Sequence, residues 1–213
     1  MSGRPSIMVL AGVNGAGKSS VGGARLRANG LDWYNPDTYA RKLMAETNCP
    51  QETANGAAWA YGKTKLEEAI NSKQNHAFET MLGANTIPDL LKTAAASHRV
   101  MIWYCGLSSV ELHLERVALR VACGGHDIPE NKIRERWIKS KENLIGLIPF
   151  IHILQVYDNS QSASRGAMVP PPRLVLDYGE KSIKYPDIGS LASLKTVPEW
   201  AKPIVQAAIL TSR

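Results

Sequence analysis

The sequence has few cysteines and no long apolar segment. Its three cysteines, Cys49, Cys105 and Cys123, lack CxxC spacing, so neither a disulfide framework nor a zinc site is indicated. No stretch approaches the roughly 18 apolar residues that a membrane span requires. The N-terminal residues lack the apolar core and cleavage site of a signal peptide. We therefore expect a cytoplasmic protein with reduced thiols and no membrane association.

Runs of consecutive basic residues are also absent, although the chain is basic overall. Lys and Arg number 25 against 19 Asp and Glu, which gives a formal charge of +6 and a pI near 9.3. Such a charge suits a polyanionic partner such as a nucleotide, a nucleotide-sugar or nucleic acid. The scattered distribution of the basic residues disfavours a dedicated nucleic-acid-binding arm.

Length and composition indicate one globular domain spanning residues 1–213. The chain is 44% apolar and 21% charged, and it is long enough for one hydrophobic core but short for two enzymatic domains. Short apolar runs alternate with helical stretches, which is typical of an α/β fold with a parallel sheet covered by helices on both faces.

The same patterns predict the individual elements. Strands are expected at residues 7–11, 33–35, 76–80, 100–105 and 153–157, and a hairpin plus helix at about 173–211. Helices are expected from about residue 18, at 36–46, 51–72 and 89–96, and on both sides of residues 124–125. Ser108 and Glu111 have the spacing of a capping box, which predicts the start of one of these helices.

The glycine-rich segment GVNGAGKS at residues 12–19 matches the P-loop pattern GxxxxGK[ST] and lies between an apolar strand and a helix. In a P-loop the backbone N–H groups face the β-phosphate, the lysine reaches the β- and γ-oxygens, and the serine ligates Mg²⁺. We therefore expect an ATP site with Mg²⁺ at Ser19. The predicted ATP contacts are Gly12, Asn14, Gly15, Ala16, Gly17, Lys18, Ser19 and Ser20.

Two carboxylates accompany the P-loop. No guanine-reading NKxD segment occurs, and the strand at 100–105 ends without the acid expected of a motor-type ATPase. Asp37 follows one predicted strand, and Glu79 lies at the C-terminal end of another. Both are therefore expected at the edge where open α/β sheets bind ligands. A phosphotransferase needs a carboxylate that accepts the proton of the acceptor hydroxyl, and Asp37 is the better placed candidate. Alternatively, Asp37 supports its helix N-terminus and Glu79 forms a core ion pair.

Four arginines lie in a predicted helical lid at about residues 116–140. Arg116 and Arg120 are four residues apart and share a helix face, and Arg134 and Arg136 follow in the next helix. Cations that gather around the γ-phosphate when a lid closes stabilise phosphoryl transfer. Exposed arginines are more commonly solvated, so each alone is a weak signal.

The pair Gly124–Gly125 is predicted to be the hinge of this lid, because glycine accepts backbone angles that other residues resist. Residues 134 and 136 project about 200° apart on a helix, so at most one reaches the phosphates. We choose Arg136, because its neighbour Trp137 lies on the apolar stripe that would fix the rotation of the helix.

Together these motifs resemble the zeta-toxin family of P-loop kinases, from Val9 to about Ser160. The matching segments are 11–20, Asn35-Pro36-Asp37, Phe78-Glu79-Thr80, 120–129 and Tyr157-Asp158-Asn159-Ser160.

The resemblance implies a nucleotide-kinase-like fold and phosphorylation of the 3′-hydroxyl of UDP-N-acetylglucosamine. Asp37 would be the base, and Lys18 with the lid residues Arg120 and Arg136 would hold the γ-phosphate. Asn159 would lie near adenine, and an antitoxin protein would be a partner. Residues expected at the acceptor are Asn35, Asp37, Glu79, Thr80, Arg116 and His126.

Two other functions fit the same motifs. The chain could be a non-catalytic switch, in which ATP orders the lid for a protein partner. It could also be a nucleic-acid end kinase that uses its basic surface. Transfer of labelled phosphate to a small acceptor, to an oligonucleotide or to neither separates the three.

Overall fold

The computed structural model describes residues 3–19, 22–23, 26, 32–161 and 170–212. In this described part, six strands form one sheet in the order β2-β1-β3-β4-β5-β6. The first four strands in the chain are parallel, and β5 and β6 add to one edge in antiparallel orientation. The strands are β1 Ser6–Ala11, β2 His76–Thr80, β3 Arg99–Gly106, β4 Ile153–Asp158, β5 Arg173–Gly179 and β6 Ser182–Tyr185.

Helices connect and cover these strands. From the end of the P-loop to residue 26, the described residues 18, 19, 22, 23 and 26 are helical. Short 3₁₀ turns lie at Ile148–Phe150 and Glu199–Ala201. The α-helices with described bounds are α1 Pro36–Thr47, α2 Gln51–Ser72, α3 Thr86–Ala94, α4 Val110–Ala122, α5 Glu130–Leu147, α6 Leu191–Lys195 and α7 Lys202–Thr211.

The core lies on both faces of the central strands β1 and β3. Ile7 and Val9 of β1 pack in one cluster with residues of α2, α3, α5 and α7, whereas Met8 and Leu10 pack on the other face with Leu26 of the P-loop helix. Strands buried on both faces carry continuous apolar runs. The predicted α/β fold with helices on both faces is confirmed.

The strand register brings three chain segments to one edge of the sheet. Ala11, the last residue of β1, is paired with Thr80 of β2 and with Tyr104 of β3. The P-loop therefore starts beside the residues that leave β2 and β3. α1 begins at the same edge. The Asn35 side chain caps this helix by accepting a hydrogen bond from the Thr38 N–H at 3.1 Å, and Pro36 suits the first turn.

Several sequence-based predictions need correction. The N-cap of α4 is Ser109, not Ser108, and its side chain accepts from the Leu112 N–H at 3.2 Å. Glu111 instead pairs with Arg134. The predicted strand at 33–35 is one isolated bridge between Tyr34 and Phe78.

The predicted helix after the P-loop falls partly outside the described residues. None of the described helices combines the length and apolarity of a membrane span.

Candidate functional site

The P-loop lies directly against the end of β3. Gly12 has φ 138°, and a Cβ there would lie 2.2 Å from the Cys105 carbonyl oxygen. Gly15 and Gly17 also have positive φ, at 80° and 85°. These angles and this contact require glycine. Ser20, which was predicted to contact ATP, lies outside the described residues.

Two buried side chains fix the P-loop backbone from outside the motif. His113 of α4 lies with its Nδ1 2.6 Å from the Asn14 carbonyl oxygen, so Nδ1 carries the proton because a carbonyl only accepts. The Asn159 side chain donates to the Ala16 carbonyl at 2.9 Å. Asn159 therefore holds the loop, and its predicted contact with ATP stays a prediction.

A polar cluster joins the P-loop to β2 and to the start of α1. The Ser19 hydroxyl donates to the Glu79 carboxylate at 2.9–3.0 Å, and the Asn35 amide donates to the same carboxylate at 3.0 Å. Lys18 Nζ lies 3.7 Å from Glu79 Oε1, and both residues are 8% exposed. The ion-pair alternative for Glu79 is thus present, and its partner is the P-loop lysine.

Two adjoining cavities open beside this cluster, which we call the inner and the outer cavity. The inner cavity has a volume of about 320 Å³, and the outer about 780 Å³. Asp37 and His126 line both. The inner cavity also brings together the predicted site residues Asn14, Glu79, Thr80 and Arg136, and the outer cavity contains Ser19, Asn35 and Arg120.

Of the four lid arginines, Arg136 lies in the inner cavity. Its Nη1 donates to the Asn14 side-chain oxygen at 3.0 Å. Burial lowers the pKa of its guanidinium, and the nearby charges of Glu135 and Asp37 oppose this shift.

The other three arginines lie elsewhere. Arg134 is exposed and pairs with Glu130 and Glu111. Arg120 donates to the His126 carbonyl at 3.2 Å and lines the outer cavity. Arg116 donates to the Gln161 carbonyl at 3.1 Å and lines neither cavity. The expected placement of Arg116 at the acceptor is therefore not observed.

One wall of the inner cavity was not predicted from the sequence. It comes from one face of α2 and includes Trp59, which is 50% exposed and lines the cavity. A large exposed aromatic side chain in a concave site is a common feature of ligand pockets. The α2 residues on this wall are Asn55, Ala58, Trp59, Gly62 and Lys63. Their helical spacing is visible in the sequence, but which protein surface they face is not.

The buried His113 gives the fold a testable dependence on pH. Burial is the main reason that its pKa falls from the ordinary 6.5 to about 4. Between pH 7 and 5 the unfolded chain therefore takes up a proton at residue 113 that the folded chain does not. The free energy of unfolding is for this reason about 2 kcal/mol lower at pH 5 than at pH 7.

The variant His113→Gln keeps an N–H donor but does not titrate. We expect its free energy of unfolding to fall by about 2 kcal/mol less than that of the wild type between pH 7 and pH 5. Urea unfolding at the two pH values measures this difference. The other histidines are common to both proteins and cancel. Parallel losses in the two proteins would contradict the assignment.

Comparison with known proteins adds information on the fold. No protein-family model matches this chain, and no curated protein matches it. Among solved structures, the chain is similar to one from the AvrRxo1-ORF1:-ORF2 complex with ATP, with a TM-score of 0.64 and 14% identity over 93% of this chain. It spans 65% of the length of that protein.

Two further structures are similar over shorter stretches. One is from the PezAT chromosomal toxin-antitoxin system of Streptococcus pneumoniae, with a TM-score of 0.53 and 14% identity over 74% of this chain and 68% of that chain. The other is from the Pnkp1/Rnl/Hen1 RNA repair complex, with a TM-score of 0.50 and 17% identity over 67% of this chain and 46% of that chain. At these identities the likeness concerns the fold. It supports the resemblance to zeta-toxin-like P-loop kinases at that level.

Proposed function

We propose that this chain, which has a zeta-toxin-like P-loop kinase fold, transfers the γ-phosphate of ATP to a hydroxyl of a small acceptor. The observation that carries the proposal is the inner cavity. In it, Asp37 and Arg136 line the same space as the P-loop residue Asn14, together with two further carboxylates, Glu79 and Asp127. Phosphoryl transfer needs these components, because its catalysis rests on positioning and on neutralising charge.

ATP and Mg²⁺ fit the P-loop side of this site. Ser19 and Glu79 supply a hydroxyl and a carboxylate 2.9–3.0 Å apart. Mg²⁺ prefers oxygen ligands and commonly binds through one or two carboxylates together with substrate phosphates. When bound there, the ion would neutralise charge on the β- and γ-phosphates. The likeness to a structure that contains ATP supports the choice of nucleotide.

In this proposal Asp37 is the general base, and the cationic side chains neutralise charge on the phosphates. Asp37 accepts the proton of the acceptor hydroxyl as its oxygen attacks the γ-phosphorus, while the bond from that phosphorus to the β–γ bridging oxygen breaks and ADP leaves. Lys18 and Arg136 stabilise the charge on the transferring phosphoryl group, and Arg120 joins them when the lid closes. Glu79 and Thr80 contact the acceptor from β2, and His126 does so from the lid.

The proposed acceptor is UDP-N-acetylglucosamine, phosphorylated at its 3′-hydroxyl. The family resemblance suggests this compound, and the dimensions of the site are compatible with it. The inner cavity, at about 320 Å³, is at the low end of the roughly 300–1,000 Å³ range for ligand pockets and suits a sugar. The outer cavity leaves room for the remainder of a larger acceptor, with Asp37 at the junction.

An antitoxin is proposed as a protein partner. The support is the likeness to a structure from the PezAT toxin-antitoxin system. The cytoplasmic location stays a prediction from the sequence.

Incubation with γ-labelled ATP, Mg²⁺ and a panel of acceptors tests the function, with Lys18→Ala as the inactive control. We expect label in a sugar nucleotide with the wild type only. Label in an oligonucleotide would identify a nucleic-acid kinase. Tight ATP binding without transfer to any acceptor would indicate a nucleotide switch and contradict the proposal.

Replacing Trp59 tests whether the inner cavity holds the acceptor. We expect Trp59→Ala to raise the KM for the acceptor about 3- to 10-fold, the size of one aromatic contact, with kcat nearly unchanged because the ring contacts ground state and transition state alike. The matched control is Phe150→Ala, which removes an aromatic side chain that is 43% exposed and lines neither cavity. An unchanged KM in Trp59→Ala, or an equal rise in the control, would contradict this placement.

A further inference from the structure

Asn14 connects the P-loop to two helices that are distant in sequence. Its backbone carbonyl accepts from His113 of α4 at 2.6 Å, and its side-chain oxygen accepts from Arg136 of α5 at 3.0 Å. The residue is 6% exposed. A buried carboxamide with its backbone fixed on one side and its oxygen bonded on the other has little freedom to move.

The stem of Arg136 is confined as well. A Cβ on Gly83 would lie 3.0 Å from the Arg136 Cγ, so the loop after β2 passes directly beside this side chain. Asn143 of α5 holds that loop by donating to the Leu82 carbonyl at 2.7 Å and the Ala84 carbonyl at 3.3 Å. Arg136 thus passes close to Gly83, and its guanidinium donates to the Asn14 side chain.

We propose that Asn14 is a positioning residue, whose side-chain oxygen orients the Arg136 guanidinium toward the γ-phosphate. The inference rests on the proposed function and goes beyond an ATP contact by Asn14. A guanidinium has five N–H donors, so one hydrogen bond to Asn14 leaves others for the phosphate. A carboxamide also directs the arginine without neutralising its charge, which a carboxylate at this position would do.

The proposal predicts how two substitutions combine. If Asn14 acts through Arg136, Asn14→Ala misplaces the guanidinium, and we expect kcat to fall about 10-fold while the KM for ATP changes less than about 2-fold. In an Arg136→Ala background the same substitution has nothing left to misplace. The double variant is then as active as Arg136→Ala alone, because effects that share one route do not add.

Single-turnover transfer from γ-labelled ATP measures all of these variants, including slow ones. Arg134→Ala combined with Asn14→Ala is the matched control, in which the Asn14 defect should persist in full. Thermal unfolding checks the fold. Asn14→Ser, which retains a small hydroxyl, replaces Asn14→Ala in the same comparison if the latter is unstable.

The outcomes separate the two proposals. If the wild type transfers phosphate but the Asn14 and Arg136 defects multiply, or the Asn14 defect lies in the KM for ATP, the positioning role is wrong and the kinase function stands. If the wild type transfers no phosphate, the proposed function fails and the positioning role fails with it.

Discussion

Asp37→Asn is expected to lower the rate of phosphoryl transfer by roughly 10²–10⁴-fold, the range attributed to general-base catalysis, and to leave ATP affinity nearly unchanged. Asp37 lies in the first turn of α1, lines both cavities, and is close enough to Arg136 for its charge to act on that guanidinium. Asparagine has almost the same shape and cannot accept the proton of a hydroxyl.

A second helix supplies the control for this substitution. Asp89 is also acidic and lies in the first turn of α3, but it is exposed, pairs with Lys92 and lines neither cavity. We expect Asp89→Asn to change kcat little. The measurements are kcat with the labelled acceptor and the Kd for ATP. Transfer at the wild-type rate in Asp37→Asn would reduce Asp37 to a residue that supports the N-terminus of α1.

Arg136→Ala is expected to lower kcat by about 10³-fold or more, as replacement of an arginine that stabilises the transferring phosphoryl group does, with a much smaller effect on ATP binding. Its guanidinium lies beside the P-loop at Asn14 and near Asp37. The loss should appear mainly in kcat because the charge on the phosphoryl group develops in the transition state.

Arg134→Ala is the matched control, since it removes the same side chain two residues earlier on the same helix. Arg134 is exposed and bound to Glu130 and Glu111, and surface pairs of this kind contribute little. We expect near-normal turnover. A larger defect in Arg134→Ala than in Arg136→Ala, or equal losses in kcat and ATP affinity for Arg136→Ala, would contradict the assignment.

The parts of the site that depend on neighbouring residues could be predicted from the sequence. The P-loop needs glycines at fixed offsets between a strand and a helix, and all of these are local. Asn35 and Pro36 likewise mark the start of α1, so Asp37 is predicted to lie at a helix N-terminus. The match of strand β2 to residues 76–80 placed Glu79 at the edge of the sheet.

The parts that depend on distant pairs could not be predicted. Asn14 and Arg136 are 122 positions apart, and Asn14 and His113 are 99 apart. A helical spacing shows that Trp59 shares a face with Asn55 and Lys63, but only the packed structure shows that this face borders a cavity. Arg116 and Arg120 share a helix, and the sequence did not show that they bond to different loops.

The reason for choosing Arg136 was incorrect, and its contact with the phosphates stays a prediction. The prediction relied on Trp137 to fix the rotation of α5, but Trp137 is only partly buried and has the Lys141 ammonium 3.3 Å from its ring centroid. The buried residues that set the rotation are Ile133, Ser140, Leu144 and Leu147. Ser140 was not included in the predicted apolar stripe because serine is polar. In the structure its hydroxyl lies 3.1 Å from the Tyr104 hydroxyl.

The central claim, that the γ-phosphoryl group of ATP passes to a hydroxylated small molecule, is tested most directly by following two labels. Wild-type protein is incubated with UDP-N-acetylglucosamine and Mg²⁺ and with ATP labelled at either the γ- or the α-phosphate. Lys18→Ala is run in parallel. The account predicts that γ-label enters the acceptor, that α-label remains with the nucleotide, and that Lys18→Ala transfers neither. Label from the α-position in the acceptor, or release of γ-label only as inorganic phosphate, would contradict it.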